Sequence, residues 1–181
     1  MGSEMCIRDR DTMAQTDLPA RGRFPQVKLG KKVPKKAEAL LIAAFEGEGN
    51  LELPGTDLLG GAALRSTYEA LVAVGASGKA GEITRVPAPA KAGVASIIAV
   101  GLGDAEEVDD ETLRRAAGQA ARSITKVGAV ATSLGDFGIA PVVEGLILGG
   151  YKYSGLRSES AAETTTYTCL LYTSPSPRDG L

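Results

Sequence analysis

The sequence contains no histidine and no tryptophan, and its aromatic residues are five tyrosines and three phenylalanines. Without histidine there is no imidazole base, no Cys–His dyad and none of the common zinc frameworks. With so few aromatics the core has to be assembled from Ala, Val, Leu and Ile. Charge of one sign is also lacking, since 20 basic residues face 22 acidic ones for a net charge of −2. That balance gives no electrostatic reason to expect nucleic acid or an anionic membrane as partner. No apolar run reaches the roughly 18 residues of a membrane span. The N-terminus carries charges where a secretory signal needs an apolar stretch, so a cytoplasmic location is expected. What remains, 181 residues at 44% hydrophobic and 23% charged, suits one soluble domain with a real core.

The only two cysteines, Cys6 and Cys169, lie in two stretches that do not read as protein. Residues 1–10 are MGSEMCIRDR and residues 169–179 are CLLYTSPSPRD. Residues 4–10 can be written GAG ATG TGT ATA AGA GAC AGG. The reverse complement of the first twenty of these bases, read one base out of frame, encodes Cys169-Leu170-Leu171-Tyr172-Thr173-Ser174. Extending outward, GTG GGC TCG for Met1-Gly2-Ser3 gives Pro175-Ser176-Pro177 on the complementary strand. Both ends resemble a translated transposase-type sequencing adapter, and residues 1–10 and 169–181 are set aside as adapter-derived. This removes Arg8, Arg10 and Arg178 together with Glu4, Asp9 and Asp179, so the charge balance is unchanged.

The remaining insert is organised around residues 94–123. Residues 94–100 form a continuous Val/Ile-rich run, as in a strand buried on both faces. The run breaks at Gly101-Leu102-Gly103. Leu113, Ala116, Ala117, Ala120 and Ile124 then follow at helical spacing, with Asp109 or Asp110 as the cap. Around this unit, residues 11–26 read as a mobile leader and residues 27–36 as a solvated strand edge and turn. Residues 37–45 read as a strand, 51–54 as a short extended piece and 58–74 as a helix capped near Gly55-Thr56-Asp57. Residues 83–86 and 129–134 read as strands and 139–148 as a helix with Pro141 in its first turn. Strand, helix, strand, strand, helix, strand, helix predicts an α/β three-layer sandwich on a mixed sheet.

Each chemical motif has a plainer explanation. Gly101-Leu102-Gly103 lacks the third glycine of a dinucleotide fingerprint and the Lys-Ser/Thr of a P-loop, and Asp104, Glu106 and Glu107 behind it would repel phosphate. Asp109, Asp110 and Glu111 suit capping and the helix dipole better than a hard cation. Lys28, Lys31, Lys32, Lys35 and Lys36 form a basic run with no interleaved aromatic, which fits a solvated edge better than a phosphate patch. Glu144, among Val142, Val143, Leu146 and Ile147, either faces out or meets a neighbouring domain. The Ser and Thr residues have no visible base. No set of residues forms an active site: catalytic, cofactor-binding and metal-binding residues are all expected to be absent.

Four blocks stand in order: Gly78-Lys79-Ala80-Gly81-Glu82, Val100-Gly101-Leu102-Gly103, Leu113-Arg114-Arg115-Ala116-Ala117-Gly118, and Glu144-Gly145-Leu146-Ile147-Leu148-Gly149-Gly150-Tyr151. Through them residues 27–155 resemble the N-terminal domain of leucyl aminopeptidases (cytosol aminopeptidases, peptidase family M17) of actinobacterial type. The resemblance implies a macro-domain-like fold truncated before the catalytic domain, with residues 156–168 starting the linker to it. It further implies cytoplasmic, usually hexameric enzymes that release N-terminal residues from peptides with two divalent metals, zinc or manganese. Their ligands belong to a C-terminal domain with motifs such as NTDAEGR, which this sequence lacks. The resemblance therefore implies an inactive fragment. The alternative is a stand-alone macro-like module binding ADP-ribose or a related nucleotide.

Overall fold

A computed structural model describes residues 23–47, 49–54, 58–90, 92–152 and 164–171. The adapter-like residues 1–10, most of the expected leader and the Gly55-Thr56-Asp57 turn lie outside the described residues. The strands are β1 (Gln26–Gly30), β2 (Ala39–Glu46), β3 (Leu51–Glu52), β4 (Ile83–Pro87), β5 (Ser96–Gly103), β6 (Ala129–Thr132) and β7 (Thr166–Leu170). The helices are α1 (Gly61–Ala73), α2 (Asp110–Ser123) and α3 (Ile139–Gly149), with a 3₁₀ turn at Leu134–Asp136.

The sheet runs β1-β7-β6-β2-β5-β4, with β3 paired to the end of β2. All neighbours along this path are parallel except β4, which is antiparallel to β5. Strands β2 and β5 are central and lack polar alternation because both their faces are covered. Their side chains divide by the strand period of two. Leu41, Ala43, Ile98 and Val100 face a core shared with α2 and α3. Leu40, Ile42, Ile97 and Ala99 face a second core shared with Leu71 of α1. This is the expected three-layer α/β sandwich on a mixed sheet.

Helix α2 starts where its cap predicts, with the Asp109 carboxylate accepting from the Thr112 N–H at 2.7 Å. Helix α1 begins at Gly61 rather than at residue 58, with Gly60 at its N-cap and no side-chain cap. Strand β1 pairs in the sheet with β7 alone, and its Lys28, like Lys31, Lys32, Lys35 and Lys36 in the turn that follows, is exposed, as a solvated edge requires.

Four expectations are corrected. The central strand does not break at Gly101 but continues to Gly103, because the backbone of residues 78–82 pairs alongside it. The strand expected over 129–134 stops at Thr132, where the chain tightens into the 3₁₀ turn. The leader expected over 11–26 does not include Arg23, whose N–H and C=O both bond to Lys152 at 2.9 and 3.0 Å, or Gln26, which opens β1. Of the linker expected over 156–168, residues 156–163 lie outside the described residues, and Thr166–Thr168 belong to β7, which enters the sheet between β1 and β6. Cys169, assigned to the adapter tail, is fully buried in that strand.

Candidate functional site

Ligands of open α/β sheets collect at the carboxyl ends of the parallel strands. Here that edge is formed by the ends of β2, β5 and β6, and the glycine turn of β5 sits in it. The space above the turn is filled by the chain itself. Gly101 N–H donates to the Glu82 carbonyl at 2.7 Å, Gly81 N–H to the Gly101 carbonyl at 2.9 Å, and Gly103 N–H to the Gly78 carbonyl at 2.9 Å. A Cβ on Gly101 would run into the Lys79 carbonyl, and one on Gly78, whose φ is +80°, into the Phe45 carbonyl. These glycines admit backbone, not phosphate.

The loop is fixed by Glu82. Its carboxylate accepts from the Ser77 N–H at 3.0 Å, the Ser77 hydroxyl at 2.8 Å and the Gly78 N–H at 3.0 Å. Burial alone pushes its pKa up, but these hydrogen bonds outweigh it and hold the group below its ordinary 4.5. A carboxylate with a depressed folded pKa stabilises the protein above the unfolded value, and that contribution is lost as pH falls through the folded value. Replacing Glu82 by Gln is therefore expected to cost about 1–2 kcal/mol at neutral pH. The difference from the parent chain should shrink as pH drops below 4.5, which urea melts across pH 3–7 would show.

Four of the other acidic candidates are engaged in the same local way. The Asp104 carboxylate accepts from the Glu106 N–H at 2.9 Å in an exposed turn. Asp109 caps α2. Glu111 pairs with Arg114 and Arg115, both at 2.6 Å. Glu144 faces out and pairs with Arg114 at 2.7 Å, so its partner comes from the neighbouring helix. Among the described residues no three His, Cys, Asp or Glu side chains converge as metal ligands. Burial pushes the Cys169 thiol up to about 11 and the Tyr167 hydroxyl to about 12, so neither is an activated nucleophile.

The four sequence blocks meet in space as two pairs. The 78–82 loop lies on the end of β5, as described. The α2 block meets the α3 block, where a Cβ on Gly145 would strike the Arg114 carbonyl and one on Gly149 the Gly118 carbonyl. Glycine at these points lets the two helix backbones touch, with the Arg114–Glu144 ion pair beside the contact. No part of the linear sequence marks which block pairs with which. A groove of about 330 Å³ lies between the β2–β3 turn and α1, lined by Asn50, Leu51, Tyr68, Val72, Ser77 and Lys79 among others.

The described residues thus make an α/β domain whose sequence motifs are joints between elements. The family model "Cytosol aminopeptidase family, N-terminal domain" matches residues 41–160, and the chain belongs to that family. Its relatives include probable cytosol aminopeptidases of Corynebacterium diphtheriae and Corynebacterium glutamicum. Each is 49% identical, over 146 and 160 residues, covering 81% and 83% of this chain. A third, from Rhodococcus jostii, is 41% identical over 144 residues, covering 79% of this chain. The chain spans 29%, 31% and 28% of the length of these three relatives. A solved structure of the bottromycin maturation enzyme BotP in complex with Mn shares the fold. It has a TM-score of 0.50 and 20% identity, over 76% of this chain and 27% of that one. No helix among the described residues is long and apolar enough to cross a membrane.

Proposed function

We propose that this chain is the non-catalytic N-terminal domain of a cytoplasmic metallo-aminopeptidase, a hydrolase that releases N-terminal residues from peptides. The observation that carries the reading is that all four family blocks are spent on internal contacts, two at the β5 end and two between α2 and α3. In this reading peptide substrates and two divalent ions, zinc or manganese, would be held by a separate catalytic domain, the ions supplying Lewis-acid chemistry when bound. The acidic residues do not fit such ions, since among the described residues no three His, Cys, Asp or Glu side chains converge, and Asp104, Asp109, Glu111 and Glu144 are engaged in a turn, a cap or an ion pair. The domain would contribute a rigid scaffold and, in the whole enzyme, subunit contacts within a homo-oligomer, a hexamer in this reading.

The expected result is no hydrolysis of a leucyl anilide by the purified chain, with or without added zinc or manganese. Metal-dependent turnover that co-purifies with the chain would overturn the proposal. The alternative, a stand-alone ADP-ribose module, is disfavoured by the Lys79 carbonyl lying where a ligand phosphate would have to sit over Gly101.

A further inference from the structure

Among the described residues β1 has β7 as its one neighbour in the sheet, so its other edge carries no strand. The hydrogen bonding shows which groups that edge offers. The Gly30 carbonyl accepts from the Leu171 N–H at 2.9 Å, so residue 30 turns its main chain toward β7. In an extended strand, neighbouring residues turn their N–H and C=O groups to opposite sides. Those of Lys28 therefore face β7, and those of Val27 and Leu29 face outward.

The two faces of this edge differ in chemistry. Val27 packs against the core shared with α2 and α3, and Leu29, two residues on, lies on the same face. Leu29 is nonetheless 59% exposed. Beside the start of the strand Phe24 is equally exposed, with its ring 5.0 Å from that of Tyr151. Lys28 lies on the opposite face. After β1 the chain crosses on that side, where Val33 and Ala37 pack with the second core. The crossing carries the exposed Lys31, Lys32, Lys35 and Lys36. Among the described residues none of these five lysines takes part in an ion pair, although acidic groups outnumber basic ones in the chain.

Lysine on an edge strand ordinarily keeps other strands away. That holds here for a second copy, since pairing β1 with itself would bring its lysines against their own like. An exposed leucine beside free main-chain groups has the opposite effect, so the edge repels cationic strands and remains open to anionic ones. We propose that the free edge of β1 docks an extended segment of a partner protein in which apolar and acidic residues alternate. Its main chain bonds to Val27 and Leu29, its apolar side chains lie beside Leu29, and its carboxylates lie among Lys28 and the lysines of the crossing.

The test is fluorescence anisotropy of the full chain with a labelled EVELEVE peptide. Saturable binding is expected, at least about tenfold tighter than for EEEEVLV, of the same composition without alternation, or for KVKLKVK. Lys28→Glu with Lys31→Glu should weaken it by at least about tenfold. At saturating peptide, amide exchange at Val27 and Leu29 should slow, whereas that at Lys28, already turned toward β7, should change little. No saturation up to about 1 mM peptide, equal affinity for EVELEVE and EEEEVLV, or binding without protection of Val27 and Leu29 would overturn the proposal. Protection of Val27 and Leu29 that rises with chain concentration in the absence of peptide would also overturn it, by assigning the edge to a second copy. Should the double-Glu variant not fold, the comparison of the three peptides on the parent chain decides alone.

Discussion

Replacing Gly149 by Ala is expected to destabilise the domain by about 2–3 kcal/mol, even though alanine is the better helix former by about 1 kcal/mol. The added methyl would lie 2.6 Å from the Gly118 Cα and closer still to the Gly118 carbonyl. Both obstacles are helix backbone and cannot swing aside like a side-chain tip. Relief requires α3 to move off α2, which opens the core where Leu113 and Ala117 of one helix meet Val142 and Leu146 of the other. Gly145→Ala meets the same constraint one turn earlier, 2.9 Å from the Ala117 Cβ. Urea melts should show a lower midpoint with an unchanged slope. Gly61→Ala is the control: a Cβ there meets nothing within 4 Å, so the change should be neutral or stabilising. Equal behaviour of the two variants would mean that the helices are not in backbone contact.

Replacing Gly101 by Ala should cost at least about 3 kcal/mol, from overpacking together with weakened backbone hydrogen bonds. Its Cβ would overlap the Lys79 carbonyl and lie 2.9 Å from the Gly78 carbonyl carbon. The loop could retreat only by stretching the bonds from Gly81 to Gly101 and from Gly103 to Gly78. The same retreat would disturb the entry to β4, which Glu82 immediately precedes. Amide exchange in residues 83–86 should therefore rise in this variant, and residues 113–121 of α2 should change less. Uniform exchange throughout the domain would instead point to loss of global stability alone.

These two glycine contacts also mark where sequence reasoning stopped. Strands β2 and β5 were legible because a two-sided core demands unbroken apolar runs, and α2 was legible through Asp109 and its apolar spacing. The continuation of β5 through Gly101 was not, because its cause is the carbonyl of Lys79, some twenty positions earlier in the chain. The composition of a turn and of a close-packed strand end are the same when read locally. Glu144 raised the right question, but helical spacing alone does not show that Arg114 is its partner. Strand β7 was hidden for two reasons: its first half is a polar threonine run, and its second half reads as foreign sequence. The local roles of Asp104 and Asp109, by contrast, were readable from their places beside a glycine turn and just before a helix.

The account rests on the β5 glycine turn being a joint between backbones rather than a ligand cradle. Titration calorimetry of the purified chain with ADP-ribose tests this most directly. The loop packing predicts no heat beyond dilution, both for the parent chain and for Glu82→Gln. A saturable heat in the parent chain, abolished by Gly101→Ala in a variant still folded by circular dichroism, would contradict it.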